Sequence, residues 1–339
     1  VEKAQPAHGE NSSATSTGQP RPAWRVGIAA TDRRAGHTEH YSVTGDHVVL
    51  AAGTLGTNEI LMRAADRGLS LSDRLGHGFS ANGDDMVFAA ELDTPVNAVA
   101  TGYPSQAPSD TPAVGPHSMA IVDLGDDTAP VWVHDGTMLS VMARIAPFKE
   151  LAGLGLLRAA RMFAGGPWRG ELSRTQVYYL VSHDSGEGRI RYARDRVHVD
   201  WPEFSTDAQR LHVEKKARDM IEGMGARFKS NPFVLRAFGG NRVIAHPLGG
   251  AGLAETAADG VVAPDGQVFN PAEGRAAVHD GLYVADGAAV PTAIGVSPLL
   301  TITALAERMS GLAAARLGRS LDLDAATPWP ADFKPHAAA

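Results

Sequence analysis

The sequence has no cysteine among its 339 residues. This absence excludes disulfide bonds, metal sites built from thiolates and catalysis by a cysteine nucleophile. Long apolar runs are also missing, because none approaches the ~20 residues of a membrane-spanning helix. The first residues, VEKAQPAHGENSS, do not follow the charged, apolar and small-residue order of a signal peptide. We therefore expect no transmembrane segment, while the cellular compartment stays open.

An excess of positive charge is missing as well. Lysine and arginine together number 31, aspartate and glutamate number 38, and the formal net charge is −7. A nucleic-acid partner is therefore not expected, since proteins that bind nucleic acids usually carry a basic surface. Hydrophobic residues make up 44% and charged residues 20%, as in an ordinary globular protein. At roughly 150 residues per domain, the length indicates about two domains.

The first informative stretch is VVLAAGTLGTNEILMRAADRG, residues 48–68. A continuous apolar run is followed by helical spacing, which predicts a strand, a glycine turn and a helix capped by Thr57 or Asn58. Gly53 and Gly56 allow the close approach of another group to the backbone. The turn therefore either receives a phosphate or a cofactor ring at the helix N-terminus, or is a tight turn with no ligand. The preceding stretches WRVGIAA and TEHYSV, together with DHVVLAA, predict a small meander.

From residue 86 to residue 240 the sequence changes to short apolar stretches, which indicate an antiparallel sheet. They include MVFAAEL, SMAIVDL, TMLSVMARI, TQVYYLVSH, RIRYA and RVHVDW. Helical spacing over 147–166 and 205–228 predicts two helices, the second capped by Ser205 or Thr206. After this block, glycine turns and buried strands return. The predicted fold is α/β, α+β overall, with a discontinuous Rossmann-like domain (1–85 and 241–320), an inserted antiparallel-sheet domain (86–240) and a C-terminal tail (321–339).

The stretch from residue 279 to residue 318 carries the clearest signals. GLYVADG predicts a short buried strand ended by Asp286 and Gly287, and SPLLTITALAERM predicts a helix with Ser297 as N-cap and Pro298 as first helical residue. The partial positive charge of that helix N-terminus favours negative charge on a bound ring system. Further upstream, AHPLGGAGL places His246 ahead of a run of small residues, either as a catalytic group or as a polar residue at a turn.

Four stretches resemble, in the same order, the closing half of the glucose-methanol-choline (GMC) family of flavin oxidoreductases, and within it the cholesterol-oxidase-like branch. They are HVVLAAGTLGTNEILMRA, HPLGG, GLYVADGAAVP and GVSPLLTITALAERM. The resemblance implies an FAD-binding domain interleaved with a substrate domain, and a small-molecule alcohol as substrate. It also implies that His246 lies beside the flavin and accepts the proton of the alcohol while hydride leaves to the flavin. The residues that it implies for FAD binding are Gly53, Thr54, Gly56, Asn82, Asp286, Gly287, Pro298 and Leu299.

Two positions depart from the family pattern. Ser297 stands where members usually carry Asn or His as the second catalytic group, and serine reaches less far and lacks the amide donor. In ARIAP, residues 143–147, Arg144 stands where cholesterol oxidases carry a carboxylate. Arginine stays protonated and cannot act as the base that moves a steroid double bond. Arg144 either binds an acidic or phosphate-bearing substrate, or lies at the surface.

The family opens with a G-x-G-x-x-G turn that holds the FAD pyrophosphate, and this sequence lacks such a turn. GHGFSA, residues 76–81, fits the letters G-x-G-x-x-A, but no buried strand precedes it and NGDD follows in place of a helix. We therefore expect an N-terminal polypeptide, either cleaved off or separately made, to supply the pyrophosphate site.

Three functions stay open. The chain belongs to an FAD-dependent enzyme that oxidises a sterol-like alcohol or a bulky secondary metabolite, to a non-oxidising relative that uses His246 as acid or base beside structural FAD, or to a catalytically degenerate subunit. No metal site is expected, because the histidine–aspartate pairs match no established ligand spacing and are predicted to be solvated loop residues. These pairs are His134 and Asp135, His183 and Asp184, His279 and Asp280, and His198 and Asp200.

Overall fold

The computed structural model describes residues 2–3, 24–32, 36–101, 107, 119–127, 129–152, 155–201, 208–231 and 244–321. The predicted C-terminal tail lies outside the described residues beyond residue 321, and so do the predicted helix caps Ser205 and Thr206. Within the described part of the chain, no helix is long and apolar enough to cross a membrane.

The described residues form strands and five longer helices. The strands are β1 (Glu2–Lys3), β2 (Trp24–Asp32), β3 (His37–Gly45), β4 (Val48–Leu50), β5 (His77–Phe79), β6 (Asp85–Ala90), β7 (Ile121–Asp123), β8 (Val131–Gly136), β9 (Gln176–Ser182), β10 (Gly188–Ala193), β11 (Arg196–Asp200), β12 (Arg227–Lys229), β13 (Gln267–Phe269) and β14 (Val278–Val284). The helices are α1 (Gly53–Asp66), α2 (Ser140–Ala152), α3 (Leu156–Gly165), α4 (Ala208–Gly223) and α5 (Leu299–Arg316).

Strand β4 lies in a three-stranded sheet of order β13-β14-β4, in parallel register with β14. Val48 pairs with Leu282 and Leu50 pairs with Val284. Helices α1 and α5 contribute Leu61 and Met309 to the core of this unit. Two distant parts of the chain therefore build one α/β unit, as a discontinuous domain requires, although the predicted domain boundaries themselves stay predictions.

The expected meander of three strands is wrong for the third strand, β4, which does not pair with β3. Strands β2 and β3 form an antiparallel hairpin with β1 at its edge. Strand β4 instead joins β14, because both strands end in apolar residues that share one buried core. The hairpin remains largely exposed and contributes only Trp24 to that core.

The middle of the chain forms a five-stranded antiparallel sheet of order β12-β6-β9-β8-β7. Helix α4 packs on one face, where Val213, Ala217 and Ile221 meet Val133 and Leu180. Helices α2 and α3 cover part of the opposite face. The rest of that opposite face forms the wall of a cavity.

Two expectations for the middle of the chain are corrected. TMLSVMARI, predicted as a strand, is helical from Ser140 onward, because Met142, Ala143 and Ala146 recur at helical spacing and pack on the sheet. Strands β10 and β11 do not join the five-stranded sheet. They pair with β5 in the order β11-β10-β5 and contact α1, so this hairpin packs against the α/β unit.

Candidate active site

The segment 245–253 is held on both sides by backbone hydrogen bonds. On one side Leu248 and Ser80 exchange two bonds, of 3.0 and 2.9 Å. On the other side the N–H of Gly249 donates to the carbonyl of Gly287 at 2.9 Å. Gly249 has a φ of +82°, and a Cβ there would lie 2.1 Å from the carbonyl oxygen of Gly78. Only glycine meets both conditions, so the sequence HPLGG fixes the backbone on which His246 stands.

Asp84 fixes the ring of His246. Its Oδ1 lies 2.7 Å from Nδ1 of His246, and its Oδ2 accepts hydrogen bonds from the backbone N–H groups of Ala245 and His246 at 2.6 and 2.8 Å. A carboxylate only accepts, so Nδ1 carries the proton and Nε2 is left with its lone pair. The side chain of Asp84 is 7% exposed and that of His246 is 26% exposed. His246 is therefore an oriented imidazole with an available acceptor nitrogen.

Sequence reasoning missed Asp84. It follows Asn82 and Gly83, which have φ values of +54° and +65° and turn the chain into β6. The only available signal was the pair of adjacent carboxylates in NGDD at the entrance to an apolar strand, where acidic side chains are unusual when buried.

His246 and Ser297 line one cavity of about 440 Å³. The two predicted catalytic residues are therefore brought together by the fold. The opposite wall is mainly apolar and comes from the five-stranded sheet. The remaining lining residues are Asp84, Asp85, Met86, Ile121, His134, Tyr179, Leu180, Val181 and Ala245.

Asn82 holds the loop that carries Ser297. Its Oδ1 accepts from the N–H groups of Ile294 and Gly295 at 2.9 and 3.0 Å, and its Nδ2 donates to the carbonyl of Val296 at 2.6 Å. The side chain is fully buried. Any contribution of Asn82 to cofactor binding would thus come through the position of this loop, and its cofactor role stays a prediction.

Two of the residues predicted to bind the cofactor, Thr54 and Gly287, lie beside each other. A Cβ on Gly287 would lie 2.8 Å from Oγ1 of Thr54 and 3.3 Å from Cδ1 of Ile302, on the first turns of α1 and α5. Thr54 also donates to the carbonyl of Pro247 at 2.6 Å, next to His246. The absence of a side chain at Gly287 therefore lets both helix N-termini approach the segment that carries His246.

The starts of both helices differ from the sequence expectation. Helix α1 begins at Gly53, which has a φ of +75°, and Thr57 is not its cap. The Thr57 hydroxyl accepts from the N–H of Ala52 at 3.1 Å and donates to Oδ2 of Asp286 at 2.5 Å, which connects the helix to the turn after β14. The hydroxyl is thus used for tertiary contacts instead of capping.

Helix α5 begins at Leu299, with Pro298 at the N-cap position and no capping side chain. The expectation that Ser297 caps this helix is therefore wrong by one residue. Pro298 is buried, whereas Leu299 and Leu300 are 70% and 79% exposed. The first turn of α5 consequently presents an apolar surface directly after Ser297.

Arg144 is not among the residues that line the cavity. It lies exposed on α2, and its guanidinium carbon is 5.5 Å from the centroid of the Trp168 ring. Of the two alternatives for Arg144, the surface position is the one observed in the described residues. A substrate contact by Arg144 stays a prediction.

The histidine–aspartate pairs do not all lie in solvated loops, so that expectation needs correction. His134 is buried on β8 and lines the cavity. His279 is buried on β14, with Nε2 2.6 Å from the carbonyl of Ser70. Asp184 accepts from the N–H groups of Ala81 and Gly83 at 2.9 and 3.0 Å and so secures the turn before Asp84.

Comparison with known proteins supports the motifs. Residues 186–306 match the C-terminal family model of GMC oxidoreductases. Cholesterol oxidase of Mycobacterium tuberculosis is 26% identical over 306 residues, covering 79% of this chain and 46% of that protein. Cholesterol oxidase of Acinetobacter baumannii is 26% identical over 280 residues, covering 77% and 46%. The chain thus spans about half the length of these curated relatives.

Solved structures of two oxidases align with this chain. A formate oxidase of Aspergillus oryzae aligns with a TM-score of 0.51 at 15% identity, over 86% of this chain and 57% of that chain. Pyridoxine 4-oxidase of Mesorbium loti aligns with a TM-score of 0.48 at 16% identity, over 84% and 53%. These findings bear out the resemblance stated from the four motifs: residues 186–306 match the GMC oxidoreductase family model, and the chain shares the fold of the matching part of Aspergillus oryzae formate oxidase.

Proposed function

We propose that this chain carries the substrate cavity and part of the FAD site of an oxidoreductase that oxidises an alcohol, with His246 as proton acceptor. The observation that carries the proposal is the hydrogen bond between Asp84 and His246 at the wall of an apolar cavity. Imidazole accepts protons near neutral pH, and a carboxylate on its other nitrogen holds both the tautomer and the ring orientation.

The chain's own residues would handle the proton. The O–H bond of the alcohol breaks and its proton goes to Nε2 of His246, while the carbonyl double bond forms. Oδ1 of Asp84 keeps its hydrogen bond to Nδ1 throughout, so the ring does not rotate as it gains positive charge. Bound FAD supplies the acceptor for the hydride that leaves the carbinol carbon. Ser297 lines the same cavity, and its hydroxyl can donate to the substrate oxygen.

The cavity favours an uncharged, largely apolar alcohol. Its volume of about 440 Å³ falls within the roughly 300–1,000 Å³ of small-molecule sites. Met86, Ile121 and Val181 contribute apolar wall, and Arg144 lies outside it. A sterol-like alcohol or a bulky secondary metabolite fits this chemistry.

The residues around Gly287 fit the flavin end of FAD. The first turns of α1 and α5 contain no acidic residue and make no side-chain capping bond, so their N–H groups suit electron-rich oxygens and nitrogens. Gly53 has open space where a side chain would project. Leu299 and Leu300 offer apolar contact. These features agree with the predicted roles of Gly53, Thr54, Gly56, Gly287, Pro298 and Leu299.

The pyrophosphate end of FAD needs a different segment. Residues 76–81, the only letter match to the dinucleotide pattern, lead into β5 and the turn at Asn82, and no helix begins there. We therefore propose that a polypeptide with a G-x-G-x-x-G turn completes the FAD site.

Anaerobic mixing of alcohols with the flavin-loaded protein, which includes the polypeptide that completes the FAD site, tests the function. The visible absorbance of the flavin is expected to bleach, and the corresponding ketone or aldehyde to accumulate in equal amount. A flavin that stays oxidised while the substrate is altered would favour the non-oxidising enzyme. A flavin that stays oxidised with no product would favour the degenerate subunit.

A further inference from the structure

A second imidazole faces the cavity from the sheet. His134 on β8 pairs directly with Tyr179 on β9 and with Ile121 on β7. Tyr179 in turn pairs with Met86 on β6. Directly paired residues of antiparallel strands point to the same face of a sheet. These four residues therefore form one row across four strands, opposite the face covered by α4, and all four line the cavity.

The ring of His134 has no hydrogen-bonding partner among the described residues. Its neighbours in the cavity are already engaged: the Tyr179 hydroxyl donates to the carbonyl of Thr137 at 3.0 Å, and Asp84 binds His246. His134 is only 9% exposed. The ring faces the cavity, where a ligand can supply the missing hydrogen-bonding partner.

The charges around His134 favour its neutral form. Burial lowers the pKa of His134, and the neighbouring His246 lowers it further, against smaller opposing effects of Asp135 and Asp84. A neutral imidazole offers one N–H donor and one acceptor nitrogen. It can donate to an oxygen without adding a positive charge beside His246.

We propose that His134 is a substrate-contacting residue that donates a ring N–H to the oxygen of the alcohol, orienting its hydroxyl proton toward Nε2 of His246. The proposal rests on the proposed function of this cavity. In this proposal His134 makes the second polar contact to the substrate oxygen. The side chain of Ser297 is shorter than the Asn or His that usually stands at its position and reaches less far toward that oxygen. The proposal also predicts that the cavity selects uncharged alcohols and the matching carbonyl compounds, because the remaining row residues are Met86, Ile121 and Tyr179.

Binding of a ketone tests this contact apart from proton transfer, since a ketone accepts a hydrogen bond but has no hydroxyl proton to give. Cyclohexanone is titrated into the flavin-loaded protein, and binding is followed by calorimetry and by NMR of isotope-labelled imidazoles. We expect the His134 resonances to shift on binding. His134→Leu should weaken cyclohexanone binding about tenfold, the effect of one hydrogen bond. His134→Gln should retain most of the affinity because its amide donates an N–H.

His198→Gln is the matched control, because His198 is exposed on β11 and lies outside the cavity lining. Unmoved His134 resonances on binding, equal affinity in the leucine variant, or no saturable binding of cyclohexanone would each overturn the proposal. If His134→Leu does not fold, the resonances of the wild-type protein and the glutamine variant still decide. Ketone binding that depends on His134, with no flavin bleaching by any alcohol, would reject the proposed function but retain the contact. Alcohol oxidation that is unchanged when His134 is substituted would retain the proposed function but reject the contact.

Discussion

Asp84 and His246 are separated by 162 positions in the chain, yet Oδ1 of one lies 2.7 Å from Nδ1 of the other. The other oxygen of Asp84, Oδ2, accepts hydrogen bonds from the backbone N–H groups of Ala245 and of His246 itself. The carboxylate is therefore clamped to both the backbone and the ring of the proposed base. The tautomer of His246 therefore depends on Asp84 and can be changed by substituting that residue.

Asp84→Asn should lower turnover by about 10²–10⁴-fold, because an amide N–H facing Nδ1 shifts the ring proton to Nε2 and removes the acceptor. Flavin content and melting temperature should change little. The control Asp219→Asn removes an exposed carboxylate on α4 whose one ion pair within the described part of the chain is with Lys215, at 2.7 Å. Steady-state kinetics of the two variants show whether the loss is specific to Asp84. An Asp84→Asn enzyme with normal turnover would contradict the role of Asp84 in orienting His246.

His246→Ala should lower turnover by about 10²–10⁴-fold with folding and flavin content nearly intact, since Asp84 keeps its bond to the backbone N–H groups. In this background the further change Asp84→Asn should cost almost nothing more, because the two residues act as a unit. Measuring all four proteins of this cycle checks the coupling. Additive losses would show that Asp84 acts on turnover independently of His246.

The sequence anticipated the parts of the site that are local. Short-range patterns predict the βα turn at Gly53, strand β14 shortly before Asp286, and the chemically suggestive contexts of His246 and Ser297. Asp84 could not be assigned, because its partner is set by the long-range pairing of Ser80 with Leu248, which brings segment 245–253 beside it. The start of α1 was missed for a similar reason: the hydroxyl of Thr57 is used by Asp286, far away in the sequence.

Long-range pairing also explains the errors in the fold. Hydrophobic periodicity predicts strands β10 and β11 but not the sheet that they join, which depends on β5 and α1. TMLSVMARI holds enough β-branched and apolar residues to suggest a strand, and its helical face becomes visible only when Ala143 and Met142 pack on the sheet.

Gly249→Ala should destabilise the protein by about 2–5 kcal/mol, the sum of strain at positive φ and overpacking. The added Cβ would meet the carbonyl oxygen of Gly78 at 2.1 Å, and a backbone atom cannot move aside as a flexible side chain can. Gly311→Ala is the control, because this position on α5 has no atom within 4 Å of the added Cβ and should be neutral or stabilising. Denaturant unfolding compares them. Equal stability of the two variants would refute the packing argument for HPLGG.

Stability should fall on mild acidification because of buried histidines. Burial and His246 hold the pKa of His134 below its ordinary value of 6.5, so the unfolded chain takes up a proton first as the pH falls. The free energy of unfolding therefore decreases below about pH 6.5, until the folded protein is protonated too. The same sign applies to His77, whose pKa is lowered by burial and by Arg189 and Arg74.

His134→Gln should accordingly reduce the loss of stability between neutral pH and mildly acidic pH, whereas His198→Gln on the exposed β11 strand should leave it unchanged. Urea unfolding of both variants at several pH values measures this difference. A wild-type slope retained in His134→Gln would mean that other groups set the acid sensitivity.

The 339-residue chain alone should not retain FAD. The pyrophosphate needs a glycine-rich βα turn, and the two glycine turns at Gly53 and Gly287 lie together at the flavin end of the proposed site. Strand β4 has one neighbour, β14, among the described strands, and Val49 is 57% exposed. Parallel sheets are usually covered on both faces and extended by further strands, so the edge of β4 suits the strand that leads into such a turn.

A polypeptide carrying G-x-G-x-x-G should therefore restore FAD binding when it is expressed together with this chain. In the restored particle, Gly287→Ala should lower the flavin content, because the added Cβ would lie 2.8 Å from Oγ1 of Thr54, whereas Gly311→Ala should not. Intact mass and visible absorbance of the isolated chain provide the direct measurement. A monomer of 35.6 kDa that holds one FAD without any partner would show that these residues complete the pyrophosphate site in a way that the dinucleotide pattern does not describe.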